Sequence, residues 1–148
     1  MKEVKIFQGT PYSNANGRGI IDGAVLTVKN GITLLMKDIH LITFPPGSRE
    51  PTENHYHPED SGIYQYFVIL GKLSKKKEGN PPEAVTFRFK KAGRLKFEEL
   101  TLRVGDSCFV PAGFGHAFRP EEDRLCIACI SNKPFSQAEE KAVTDRLF

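Results

Sequence analysis

The sequence has no tryptophan, only two methionines and only three cysteines. An odd, low cysteine count suits a reducing compartment rather than a disulfide-stapled secreted domain. No apolar run is long enough for a transmembrane helix, and the start, Met1-Lys2-Glu3-Val4-Lys5, is charged where a secretory leader would turn apolar. The expectation is a cytoplasmic protein with no membrane partner. Charge of one sign is also scarce. The formal net charge is +3, too small an excess to indicate nucleic acid as a partner. The basic clusters Lys75–Lys77 and Arg88–Lys96 read as solvated hairpins whose charges protect an edge. Internal repeats, low-complexity segments and linkers are absent from the pattern.

What is present is a chain of 148 residues, suited to one domain, with 39% hydrophobic and 26% charged residues. Ten prolines and 13 glycines imply many turns, as an all-β domain needs. Residues 1–22 read as a turn-rich lead-in. Ala24–Lys29 and Ile32–Met36 are β-rich and flank Asn30-Gly31, a strong hairpin signal because both turn positions require positive φ. Ile39–Phe44 is a third run, ended by Pro45-Pro46-Gly47. Tyr64–Leu70 is almost wholly apolar, which predicts burial on both faces, under a second layer or a second subunit. Val85–Phe89, Leu100–Val104, Ser107–Val110 and Leu125–Ile130 complete the strand pattern, with a turn at Gly79-Asn80-Pro81-Pro82. In the tail, residues 134–148, Ser136-Gln137-Ala138-Glu139 forms a capping box, and the spacing of Ala138, Ala142 and Val143 predicts a helix over 137–147.

Chemistry concentrates on the histidines. His55 and His57 stand at i and i+2, so in an extended segment both rings share a face and form a natural chelating pair. A third donor must come from elsewhere, and His116 is the candidate. It closes Gly105-(five residues)-Pro111-Ala112-Gly113-Phe114-Gly115-His116. This stretch resembles the second conserved motif of the cupin superfamily. The first motif is represented by Gly47, His55-Tyr56-His57 and Gly71. Two departures stand out: seven residues separate Gly47 from His55 where the family has five, and Tyr64 occupies the place of the family's glutamate.

The resemblance implies a cupin-type double-stranded β-helix, a jelly-roll barrel over residues 23–133, followed by the short C-terminal helix. It also implies one divalent metal ion (iron, nickel, zinc or manganese) held by His55, His57 and His116, with Glu59 or Gln65 as the alternative completing ligand. A tris-histidine site keeps the ion's charge at +2, which favours Lewis-acid chemistry on an enolate or carboxylate. The implied function is a metal-binding cupin acting on a small organic molecule, with an iron-dependent dioxygenase as the leading form. The alternatives are a non-catalytic ligand-binding or sensing cupin, and a cupin-type sugar isomerase or epimerase.

Tyr64 and Gln65 are candidate catalytic or substrate contacts. Arg49, Tyr66, Cys108 and Phe118 are candidate substrate-binding groups, arginine because it pairs bidentately with carboxylate or phosphate and the aromatics because ligand pockets are partly apolar. Cys126 and Cys129, three apart in a strand, point to opposite faces and read as core. His40 has no partner at ligand spacing and reads as structural or exposed. A homodimer is expected, in line with the apolar strand 64–70 and with small cupins in general.

Overall fold

The computed structural model describes residues 4–11, 18–27, 31–45, 47–72, 83–121, 125–134, 141–142 and 147–148. Its strands, in chain order, are β1 (Thr10–Pro11), β2 (Arg18–Thr27), β3 (Thr33–Thr43), β4 (His55–Tyr56), β5 (Gln65–Lys72), β6 (Ala84–Lys91), β7 (Glu98–Arg103), β8 (Ser107–Val110), β9 (Phe114–Pro120), β10 (Leu125–Ser131) and β11 (Lys141–Ala142). One turn of 3-10 helix, Glu59–Ser61, lies between β4 and β5. All strand pairs are antiparallel, in two sheets: a six-stranded one ordered β1-β2-β3-β10-β5-β8 and a five-stranded one ordered β11-β4-β9-β6-β7. Neighbours in each sheet are mostly distant in sequence, which is the double-sheet jelly-roll arrangement.

Alternation dictates what each strand buries. On β5, Gln65, Phe67 and Ile69 are buried while Tyr66 and Val68 are half-buried and Leu70 is exposed. The inward residues meet Phe87, Phe118 and Ile127 in the core between the sheets. The rings of Phe67 and Phe118 lie 4.9 Å apart and tilted, and those of Phe87 and Phe118 4.7 Å apart and stacked.

Several sequence expectations change here. Ile32–Met36 and Ile39–Phe44 are parts of one strand, β3, because the polar pair Lys37-Asp38 keeps the alternation and Asp38 turns inward. Strand β2 starts at Arg18, inside the stretch read as a lead-in, and β1 pairs with it. The pairing Thr27↔Thr33 matches the expected hairpin, whose residues 28–30 lie outside those described. The turn at 79–82 also lies outside them. Burial of both faces of strand 64–70 holds for one face only in the single chain. Most of the expected helix over 137–147 lies outside the described residues. Two of its positions, Lys141 and Ala142, form β11 against Tyr56 and His55 instead, so pairing with a free strand edge overrides helical spacing there.

Candidate active site

The chain after Pro51 is laid along β9 by three backbone tethers. Thr52 donates to the carbonyl of Phe118 at 2.8 Å and its hydroxyl accepts from Phe118 N–H at 2.9 Å. His55 pairs directly with His116. Gly113 N–H donates to the carbonyl of His57 at 2.6 Å. Gly113 has φ +87°, a conformation that suits glycine, and it packs beside Glu59. The spacings of the two motifs thus become one ladder, which brings the ring of His116 to the pair His55 and His57, far from it in sequence.

The ring centroids of His55 and His116 are 4.5 Å apart and those of His55 and His57 5.4 Å apart. His55 Nδ1 donates to the carbonyl of Glu53 at 3.1 Å, and His116 Nδ1 donates to that of Phe114 at 3.1 Å. A carbonyl only accepts, so the proton of each neutral ring sits on Nδ1 and the lone pair on Nε2. His116 is 2% exposed, and its Nε2 has no hydrogen-bond partner among the described residues. Burial first, then the neighbouring His55, pushes its pKa down to about 3, so the ring stays neutral at ordinary pH.

The three rings line one wall of a cavity of about 120 Å³ between the sheets. The other wall comes from the six-stranded sheet and includes Arg18, Asp38, His40, Gln65 and Ser131. Register explains the gathering: Ser131 pairs with both Asp38 and Gln65, and His40 pairs with both Arg18 and Cys129, giving two adjacent inward rows. Gln65 is 6% exposed; its Nε2 donates to Cys129 Sγ at 3.6 Å, while its Oε1 accepts no hydrogen bond from the described residues. Asn132 holds the entry to β5, accepting from Tyr64 N–H at 2.8 Å and donating to the Gly62 carbonyl at 2.9 Å.

Of the residues singled out in the sequence, the structure brings His55, His57, His116, Gln65 and Phe118 to this cavity. It places others elsewhere. Tyr64 stacks on Phe109 at 5.6 Å, on the outer side of β5, away from the lining residues. Tyr66 faces the same way, its hydroxyl donating to Ser107 at 2.8 Å. Both corrections follow from parity with the inward Gln65. Glu59 is exposed beside Gly113, and Arg49 is exposed with its guanidinium near the Ser48 carbonyl. Cys108 lines a separate apolar cavity of about 250 Å³ with Phe87, Phe109 and Phe114, and burial pushes its thiol up to about 12. Cys126 and Cys129 are buried core residues as expected.

Sequence reading missed Arg18, Asp38 and His40. The signal was present: Asp38 and His40 stand at i and i+2, the same spacing that singles out His55 and His57.

Imidazoles in their neutral form are suitable donors for a divalent ion, and backbone carbonyls such as those that hold His55 and His116 through Nδ1 are the usual support for ligating histidines. In donor type the cluster therefore fits a metal. In placement it does not as it stands: among the described residues, no group of three or more His, Cys, Asp or Glu is positioned to hold a metal ion. No helix among them is long and apolar enough to cross a membrane.

No family model and no curated protein matches the chain. Solved structures do match it in fold. The capsular polysaccharide assembling protein CapF of Staphylococcus aureus aligns with a TM-score of 0.56 at 12% identity, over 81% of this chain and 32% of that one. The chain thus spans about a third of CapF's length. The 3'-monoepimerase ChmJ of Streptomyces bikiniensis, in complex with dTDP-quinovose, aligns with a TM-score of 0.58 at 13% identity, over 90% and 72% of the two chains. The 3,4-ketoisomerase QdtA of Thermoanaerobacterium thermosaccharolyticum, in complex with TDP-4-keto-6-deoxyglucose, aligns with a TM-score of 0.53 at 10% identity, over 86% and 88%. At such identities the likeness concerns architecture alone, and with the two packed antiparallel sheets it makes this chain a cupin-type jelly roll.

Proposed function

We propose that this protein is a cupin-type isomerase or epimerase of a small hydroxylated carbonyl compound, a sugar derivative. The observation that carries the reading is the pair of Nδ1-anchored imidazoles, His55 and His116, whose Nε2 lone pairs belong to a cavity walled on its other side by polar groups. Moving a proton to and from a carbon beside a carbonyl needs an oriented base, and His55, half-buried and held by Glu53, fills that role. His116, which stays neutral, is suited to accept a hydrogen bond from a substrate hydroxyl. The epimerase and ketoisomerase among the fold neighbours support this chemistry over the dioxygenase expectation, for which nothing in the comparisons speaks. The cavity, about 120 Å³, is below the roughly 300 Å³ of usual ligand sites, so it takes the reacting portion of a larger ligand and leaves the rest at the mouth.

The test is incubation with TDP-4-keto-6-deoxyglucose and a panel of free keto sugars in deuterated water, followed by proton NMR. Loss of a carbon-bound proton signal at catalytic enzyme concentration is the expected result; an inert protein across the panel overturns the reading. A second reading, a resident divalent ion on His55, His57 and His116, is favoured by the donor set. Elemental analysis of the purified protein decides it: about one equivalent of metal supports it, and none removes it. Ligand-induced thermal stabilisation without any exchange points to a binding module instead.

A further inference from the structure

The imidazole wall presents acceptors. His116 Nε2 is a buried acceptor atom and the anchored His55 also carries its lone pair on Nε2, while Gln65 Oε1 adds a buried acceptor from the opposite wall. Removing a proton beside a carbonyl pushes negative charge onto the carbonyl oxygen, and that oxygen requires a donor. Donors stand on the opposite wall, where Arg18 and His40 are gathered with Asp38, and Ser131 and Lys133 also line the cavity. Asp38 is 1% exposed, and Arg18 Nε donates to its carboxylate at 3.3 Å. His40 Nδ1 lies 3.2 Å from Arg18 Nη2 and 3.4 Å from Asp38 Oδ1. Arginine only donates and carboxylate only accepts, so one tautomer of His40 serves each neighbour. The shorter contact, and the bridging geometry in which one guanidinium reaches both side chains, favour Nδ1 as acceptor. The proton of the neutral ring then sits on Nε2.

We propose that His40 is the oxygen-polarising group of this cavity, with Arg18 and Asp38 as its positioning residues. The inference rests on the isomerase reading. In the step it serves, the α-carbon's proton passes to the imidazole Nε2 of His55. The C–H electron pair becomes the new C=C bond, and the carbonyl π pair moves onto oxygen, where the Nε2–H of His40 holds it by a hydrogen bond. Protonation of the opposite face of the same carbon by solvent, as the oxygen's pair re-forms the C=O bond and His55 releases its own proton to water, completes an epimerisation, whereas return to the original face restores the substrate. Nothing is oxidised or reduced, and no co-reactant is consumed. A neutral imidazole is a sufficient donor for this task, since it polarises without having to surrender its proton.

The test combines a spectroscopic and a kinetic arm. Nitrogen-15 NMR of the histidine rings is expected to show His40 protonated on Nε2; a proton on Nδ1 overturns the proposal whatever the activity. In the exchange assay on TDP-4-keto-6-deoxyglucose, His40→Leu is expected to lower kcat by about 10²–10³-fold with KM changed much less, the usual effect of losing one such donor. His40→Gln keeps an N–H and is expected to recover to within about tenfold of the parent. Equal losses in the two variants, both folded by near-ultraviolet circular dichroism, overturn the donor role. A parent protein inert on every keto sugar overturns the isomerase reading and this inference with it. An active parent with an unaffected His40→Leu overturns this inference alone.

Discussion

Gln65 spends folding energy on a polar amide that the core does not use fully. Its Oε1 is buried and accepts nothing from the described residues, so it carries a desolvation cost with no compensating bond. Leucine has a similar volume and no such cost. Gln65→Leu is therefore expected to leave the stability within about 1 kcal/mol of the parent, or to raise it, in urea unfolding, while weakening ligand capture. A loss of several kcal/mol would show that the amide is structural. His116 has the opposite character, being tuned by its surroundings. Its ordinary pKa of 6.5 is lowered to about 3 in the folded protein. Between those values the unfolded chain binds a proton that the folded ring refuses, so the unfolded state gains as pH falls. The urea midpoint of metal-free protein is expected to be steady above pH 7 and to drop progressively below about 6.5, with His116→Gln flattening the drop. A midpoint that rises on acidification contradicts the burial.

At the scale of strands and turns, Gly71 shows how a local exception shapes the sheet. The pairing of β5 with β10 slips between Cys126, opposite Gly71, and Ile127, opposite Ile69. This is a bulge, and Gly71 takes φ +78° to make it. An added Cβ would stand 2.5 Å from Val104 Cγ2. Gly71→Ala is expected to cost about 1–3 kcal/mol in thermal or urea unfolding, and an unchanged midpoint would mean that the bulge relaxes freely. The sequence announces this glycine as the end of a dense apolar run, and most strands are equally legible because a period of two survives in them. Strand β9 was hidden: Phe114-Gly115-His116-Ala117-Phe118 reads as a motif, and its glycine weakens the β signal although Ala117 and Phe118 are core residues. For the site, the histidines were legible because glycine and proline punctuate them at recognisable intervals. Asp38 and His40 carry the same spacing on β3 but lack such punctuation, and Arg18 was not legible, because only the cross-strand register of β2 and β3 joins it to them and a linear reading does not supply register between strands.

For the whole molecule, the outward face of the six-stranded sheet leaves Val25, Leu35, Leu41 and Leu70 exposed, at 63%, 50%, 42% and 41%. Apolar residues grouped on one face fit the homodimer expected from the sequence. Sedimentation velocity is expected to give twice the chain mass of 16.6 kDa, reduced by a charge at Leu41 (Leu41→Glu); a parent sedimenting at 16.6 kDa retires the dimer. The division of the cavity between two sheets carries a last consequence. Three of its imidazoles are supplied by one layer and its carboxylate, amide, guanidinium and fourth imidazole by the other, so the full set of groups exists only where the two layers face each other. Recognition and the cooperative transition should vanish together on a denaturant curve. A molecule that enters the gap acts as a clasp across both halves, and its grip is measurable as slower unfolding even before any product is identified.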